Sequence, residues 1–433
     1  VEAAVNAATD TATRAAIDTA AQYRRFWRWH FYAAFLVIPF VLWQGTTGVL
    51  YLWHGQIADA LWPQLRFVEP GGAHADLDAM LRTAGGDAQR LPKSISIPDD
   101  PARSVMFVFE DANGLSSPRF IDPYRGALLG EVPSSTWLPG LTRSLHGGWP
   151  LGKPGSWLLE LGACWMIVMV LTGVYLWWPR HAQGFAGALY PRLRAGPRVL
   201  WRDLHAVVGV WCAAGFLAFL LTALPWTDAW GNHVLRPIQR ALGQTAPAAL
   251  GFGHGAHAHH SAHAATQPAL QAALDTARAE GLRGDLELRI GRGAGPVTVT
   301  EKAGWTAHER VLSLAREDGR ILDRADWSDY RWLPRVIATG VDLHEGTLFG
   351  TANRIFNTLM VAALFWLIAT GLIGWYRRRP GRGLAAPPRL PRPWSRGLQA
   401  TAVGLCLALP LFGASVLAVW AADSLAQRLR GAQ

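Results

Sequence analysis

The chain has 433 residues, half of them apolar, with 22 tryptophans and a formal net charge of +10. A soluble protein of this length would divide into two or three domains. The apolar share, with a positive mean hydropathy of +0.12, excludes a soluble globular class.

In chain order, residues 1–23 are polar and Ala/Thr-rich, and read as a frayed cytoplasmic helix or as disordered chain. No cleavable signal peptide is evident, because this polar stretch precedes the first apolar one. Apolar stretches near 31–53, 157–178, 206–227, 355–376 and 398–420 are each long enough to cross a bilayer, which takes about 20 residues. Between the first two lies an outer module, about 54–145. It has helical spacing at 76–84, strands at S-I-S-I-P and S-V-M-F-V-F-E, an Asn-Gly hairpin signal at 113–114, and a strand-turn-strand run over 118–132. A loop at 181–204 leads to the third stretch. A second outer module, about 228–343, repeats the plan loosely, with an amphipathic helix at 267–279 and strands at L-E-L-R-I, P-V-T-V-T and R-V-L-S-L. A loop at 381–397 precedes the fifth stretch, and 398–433 holds that stretch and a tail. The expected fold class is an α-helical membrane protein with five transmembrane helices. A helix–outer domain–helix unit occurs twice, over 24–180 and 205–380, and carries two small α+β extracytoplasmic modules.

Charge gives the orientation. Residues 377–397 carry seven arginines and no acid, and 179–204 carry five arginines and one aspartate. The long loops are nearly balanced, nine basic against eleven acidic residues over 54–156 and thirteen against fourteen over 227–353. By the positive-inside rule the short loops and the N-terminus are cytoplasmic, and the long loops and C-terminus are outside. The basic excess therefore faces anionic lipid, and no nucleic-acid partner is expected. Cys164, Cys212 and Cys406 fall within apolar stretches and read as small packing residues.

An internal repeat relates four histidines. His146 and His344 both open L-H-x-G-x3-G. Each is followed twenty-six and twenty-seven residues on by Thr-Gly (Thr172-Gly173, Thr370-Gly371), and thirty-one on by Trp177 and Trp375. His30 and His205 follow basic-aromatic runs, and Thr47 and Thr222 stand seventeen residues beyond them. Ionisable residues at membrane depth are costly and mark function.

The outer-module run F-I-D-P-Y-R-G-A-L-L-G, with R-R-F-W-R-W-H-F-Y-A-A-F and Q-G-T-T-G-V-L-Y-L-W in the first apolar segment, resembles the PepSY-associated transmembrane proteins over most of 23–380. Within that family the chain is most similar to inner-membrane reductases of ferric siderophores that carry two b haems. The resemblance implies two PepSY-like outer modules, a bacterial cytoplasmic-membrane location, and a haem-dependent metalloreductase acting on a periplasmic ferric siderophore or other ferric chelate. The second module lacks the Asp-Pro-Tyr turn. The insert H-G-A-H-A-H-H-S-A-H at 254–263 is foreign to the family pattern and reads as a weak metal-binding tract or an incidental loop.

Imidazole is the commonest axial ligand of haem iron. His30 and His205 lie at cytoplasmic helix ends, and His146 and His344 at outer ends, so depth and repeat both pair His30 with His205 and His146 with His344. A helix of about 20 residues spans about 30 Å, which would set two irons near opposite faces. Two bis-histidine, non-covalent b haems are expected, since no C-x-x-C-H is present. Arg28, Arg143, Arg202 and Arg354 stand near these histidines in sequence and read as propionate partners or as membrane anchors. Gly147, Gly148, Gly152, Gly346 and Gly350 read as backbone approach to a macrocycle or as turns. Trp137, Trp149, Trp327 and Trp332 read as substrate walls or interface anchors. His54 competes for the outer site, His181 and His233 read as surface residues, and Glu160 reads as a packed carboxyl or a proton donor. No G-x-G-x-x-G is present, so the electron donor, a quinol or a cytoplasmic reductase, is unassigned. No catalytic side chain is singled out. The alternative is a haem-free membrane protein that binds a partner or handles a metal.

Overall fold

The computed structural model describes residues 2–87, 90–179, 184–247, 267–291, 293, 295–379, 381, 383–388 and 393–431. His181 and the 254–263 insert lie outside these residues. The helices are α1 Glu2–Leu52, α2 His54–Leu61, α3 Pro63–Arg66, α4 Leu77–Thr83, α5 Leu138–His146, α6 Lys153–Trp177, α7 Pro197–Ala223, α8 Asp228–Trp230, α9 Arg236–Ala241, α10 Leu270–Ala279, α11 Trp332–Glu345, α12 Gly350–Arg378, α13 Arg396–Ala408 and α14 Pro410–Gly431. The strands are β1 Ser94–Ile97, β2 Val105–Glu110, β3 Ser116–Ile121, β4 Leu128–Glu131, β5 Asp285–Ile290, β6 Val297–Lys302, β7 Arg310–Leu314 and β8 Ile321–Ala325. Two compact units emerge, one of residues 1–46, 148–235 and 358–433, the other of 47–147 and 236–357.

The first unit is helical. Thr19–Leu52, Lys153–Trp177, Pro197–Trp226 and Gly350–Arg378 are long and apolar enough to cross a membrane. Large apolar side chains such as Phe35, Trp211, Leu221, Leu359 and Leu372 stay exposed on them, as lipid-facing residues must. Val37, Val41, Cys164, Ile167, Leu220, Leu224 and Phe412 form the core between them. Cys164 is fully buried there as a small packing residue.

The fifth apolar stretch is not one straight helix. It breaks between α13 and α14, which bend by 120°. The cause is Pro410, which lacks an N–H and whose ring pushes Leu409 out of the helical region, to φ −125° and ψ 82°. Trp230 Nε1 donates to Ala408 O at 3.0 Å and Trp165 Nε1 to Ser415 Oγ at 3.1 Å, which tie both arms to this unit.

The second unit contains one antiparallel sheet of order β4-β3-β2-β1-β5-β6-β7-β8. The two outer segments read as separate modules therefore join edge to edge. β1 pairs with β5, with Ile95 opposite Leu288 and Ser96 opposite Glu287. An exposed strand edge is a liability, and this seam covers both. One core serves both halves: Leu77, Leu81, Ile95 and Phe107 pack with Leu270, Leu286, Leu288 and Leu314. The helices cap each other. Asp78 carboxylate oxygens accept the N–H groups of Leu270 and Gln271, and Gln271 Oε1 accepts that of Leu77. Both partners satisfy helix-start donors that have no intrahelical acceptor.

The Asn113-Gly114 signal falls in the β2–β3 turn, where Asp111 Oδ1 accepts from the backbone of Asn113 and Leu115. The Asp122-Pro123 turn joins β3 to β4 in the same way, through Tyr124 and Arg125 N–H. Its counterpart between β7 and β8 turns at Gly319, φ +70°, where a Cβ would stand 2.7 Å from the backbone of Ala272. Only glycine suits that position.

Candidate functional site: two histidine pairs

In the helical unit, His30 on α1 and His205 on α7 bring their rings to 6.3 Å between centroids, with planes at 90°. His30 Nδ1 lies 3.1 Å from Met169 O and 3.1 Å from Thr172 Oγ1. His205 Nδ1 lies 3.1 Å from Leu367 O and 3.3 Å from Thr370 Oγ1. A carbonyl oxygen only accepts, so both Nδ1 atoms carry the proton and donate it. Each Nε2 then presents a lone pair. Thr172 Oγ1 donates its own proton to Met169 O at 3.0 Å, and Thr370 Oγ1 donates to Trp366 O at 2.8 Å.

The neighbouring glycines make room for these rings. A Cβ on Gly173 would sit 3.2 Å from His30 Cε1, and one on Gly371 would sit 3.3 Å from His205 Cε1.

In the second unit, His146 and His344 end α5 and α11, and their ring centroids stand 6.5 Å apart with planes at 59°. Thr47 Oγ1 lies 3.0 Å from His146 Nδ1, and a Cβ on Gly48 would meet His146 Cε1 at 3.2 Å. The end of α11 is held from α12. Asn357 Nδ2 donates to Leu343 O at 2.9 Å and to His344 O at 3.0 Å, and Asn353 Nδ2 donates to Leu343 O at 3.1 Å. Both asparagines are buried and satisfy carbonyls that the helix leaves open at its end. Gly346 closes α11 in the left-handed region at φ +75°. Asp342, buried one turn earlier, accepts from Thr306 N at 3.0 Å and Thr306 Oγ1 at 2.7 Å. Burial pushes its carboxyl above the usual carboxylate range, against the pull of the Thr306 bonds.

Two imidazoles that bind one metal from opposite sides put their ring centres about 6.4 Å apart, from about 2.0 Å per metal–nitrogen bond and about 1.2 Å from nitrogen to ring centre. Both pairs match that spacing. Among the described residues no three or more His, Cys, Asp or Glu side chains come together to hold a bare metal ion. The pairs therefore suit a metal whose remaining ligands come from elsewhere.

The other sequence candidates divide. Arg202 binds Asp203, Nη2 to Oδ1 at 2.9 Å, and Arg192 grips the same carboxylate at 2.8 Å. Asp203 is 0 % exposed, so this ion pair occupies Arg202 locally. Arg28 donates to Pro387 O and to Tyr32 Oη, and its guanidinium lies over the Tyr32 ring. Arg143 is exposed in the last turn of α5. Arg354 packs on Gly346 and lies 5.8 Å from the Trp53 ring centre.

Trp137 cannot wall a substrate site. It is 6 % exposed and packs in a small core with Trp62 and Phe120. Trp327 lies against the Tyr330 ring at 5.1 Å between centroids, tilted by 38°, and Arg335 lies over its ring. Trp332 is 62 % exposed at the start of α11, and Trp149 is half-buried. His54 stacks on the Tyr51 ring rather than on another imidazole. His233 is exposed. Glu160, 1 % exposed, accepts the backbone N–H groups of Ala229 and Trp230 at 3.0–3.1 Å. It is a packed carboxyl that caps a chain turn.

The Thr-Gly pairs and Trp177 and Trp375 stand in the sequence as repeat positions with no role of their own. The threonines and glycines meet the histidine rings. The tryptophans tie down the loops that follow their helices, Trp177 Nε1 to Ala188 O at 2.8 Å and Trp375 Nε1 to Leu384 O at 2.9 Å. Asn353 and Asn357 have as their sequence signal two amides at helical i, i+4 spacing.

The apolar spans, which accompany an antiparallel sheet and paired histidines, define a helical membrane protein. The chain belongs to the family described as the PepSY-associated TM region, whose model matches residues 27–378. A comparison with curated proteins gave no match.

Proposed function

We propose that the protein is a di-haem b oxidoreductase of the bacterial cytoplasmic membrane. It takes electrons from a quinol or a cytoplasmic reductase and reduces a ferric complex on the periplasmic face, a ferric siderophore, so that iron is released. The observation that carries this reading is the spacing of the two histidine pairs, 6.3 and 6.5 Å between ring centres.

His30 with His205, and His146 with His344, would hold one haem each. Bound haem supplies one-electron chemistry, and ligation from both sides favours electron transfer over reaction at the metal. The Nδ1–H bonds of His30 and His205 keep Nε2 available as the ligating atom. Arg143 and Arg354 would meet propionates beside the outer pair, and Arg28 and Arg202 beside the inner pair. Trp149, Trp327 and Trp332 remain candidates for acceptor contact.

The same reading takes the chain as a duplicated helix–outer domain–helix unit. The matching order of β1–β4 and β5–β8 supports it, with a register shift at Phe120/Ile121 in one half and at Ser313/Leu314 in the other. It takes α13 and α14 together as a fifth span, with the N-terminus cytoplasmic and the large loops periplasmic.

Pyridine haemochrome analysis of the purified protein tests the proposal and should give about two haems per chain, one per bis-histidine site. A folded, haem-free protein would overturn it in favour of a partner-binding or metal-handling role. Stopped-flow mixing of reduced protein with a ferric siderophore should then reoxidise the haems.

A further inference from the structure

We propose that the Thr-Gly dipeptides facing the histidines are positioning residues that set the tautomer, angle and electronic character of each imidazole. This rests on the haem reading above.

Three such dipeptides meet rings: Thr172-Gly173 at His30, Thr370-Gly371 at His205, and Thr47-Gly48 at His146. At each, the threonine oxygen lies 3.0–3.3 Å from Nδ1, and the next residue is a glycine whose missing Cβ would crowd Cε1 at 3.2–3.3 Å. A threonine in a membrane helix commonly bonds back to its own carbonyls. That habit accounts for the bonds from Thr172 to Met169 O and from Thr370 to Trp366 O. It does not account for a histidine on the oxygen's other side, or for a glycine beside it, three times over.

The chemistry follows from donor and acceptor counts. Each inner Nδ1–H faces two acceptors, a backbone carbonyl and a threonine oxygen whose own proton is spent elsewhere. Two acceptors on one N–H draw the ring toward imidazolate and make Nε2 a stronger donor. A stronger donor favours the ferric state and lowers the potential. The glycine lets the ring approach the helix backbone closely enough for that bond. At the matching place in the third long helix the sequence reads Thr222-Ala223, so the hydroxyl recurs in all four copies and the glycine in three.

Thr172→Val removes the oxygen at nearly the same shape and leaves Met169 O as the remaining acceptor, while Thr172→Ser keeps the oxygen. Two quantities are read on the purified full chain: the midpoint potential of the inner haem, assigned as the haem lost in His30→Ala, and the rate of haem transfer to excess apomyoglobin. Thr172→Val should raise the potential and speed transfer about ten-fold, as loss of an outer partner does at metal-bound histidines. Thr172→Ser should stay near wild type. The outer haem should be unchanged in both, which reports that the variants fold. Thr370→Val repeats the measurement on the other ring of the pair. Gly173→Ala should shift the low-spin ferric EPR signal with the haem retained.

A wild-type chain with two haems, in which Thr172→Val and Thr370→Val change neither potential nor transfer rate, overturns the inference alone. So does a serine variant that behaves like valine. A wild-type chain that holds no haem overturns the function proposed above and this inference with it.

Discussion

Asn357 on α12 donates through one amide to two successive carbonyls, Leu343 O at 2.9 Å and His344 O at 3.0 Å, and so fixes the helix end that carries His344. The amide is fully buried, and it shares Leu343 O with the Gly346 N–H and the Asn353 amide. His344 is thus positioned by a neighbouring helix as well as by its own.

Asn357→Leu should therefore loosen the outer pair before anything else. Losing the bonds of a buried amide costs about 1–3 kcal/mol. On the proposed di-haem reading, the haem of the His146–His344 pair should be lost from the purified variant while that of His30 and His205 stays. A variant with both haems at wild-type occupancy and an unchanged melting temperature would contradict this role.

On the proposed di-haem reading, the ring spacings predict shared loss within each pair. His30→Ala and His205→Ala should remove the same haem, and His146→Ala and His344→Ala the other. The double variant within a pair should look little worse than either single one, since one site is lost once. His54→Ala should leave both haems in place, because its ring stacks on Tyr51. Reduced-minus-oxidised spectra and redox titrations distinguish the two haems.

Asp342 predicts a pH dependence. Its folded carboxyl is raised above the ordinary range by burial. A group raised on folding contributes stability that is full below its unfolded value, about pH 4, and is lost as pH rises through its folded value. The sheet-containing unit should therefore melt lower at neutral pH than just above the ordinary aspartate range. Asp342→Asn can still accept from Thr306 N and should flatten that slope. Thermal melts of the two proteins across the acid range make the comparison, and parallel slopes would count against the assignment.

Asp78→Ala tests the seam between the two halves of the sheet. It removes the acceptor for the N–H groups of both Leu270 and Gln271. Loss of a helix-start cap costs about 0.5–2 kcal/mol. The effect should be matched by Gln271→Ala, which uncaps Leu77, and the double variant should fall short of the sum if the two caps act as one joint. Chemical denaturation followed by tryptophan fluorescence reads all three.

The sequence by itself determined the local elements and the likeness of the two halves. Runs such as 157–178, with Glu160 their one charged residue, are apolar enough to be long helices in lipid, because every backbone group there must bond within its own segment. Asn113-Gly114 and Asp122-Pro123 make turns through bonds that reach no further than four residues. The histidine and Thr-Gly spacings were legible because a repeat preserves register. What only the tertiary structure decided concerns partners distant in the chain. β1 could have ended a sheet, and its pairing with β5 appears only when both edges fold beside each other. Trp137 was legible as an interface aromatic, and Arg202 as a basic residue near His205. Their fates turned on Trp62 and Phe120 in one case and on the buried Asp203 in the other. The stretch 398–420 read as one span by its apolar length, and only the structure shows the 120° break at Pro410. Propensity and periodicity act over a few residues, whereas the choice among several equally apolar or equally charged partners is made by packing, and packing is not local.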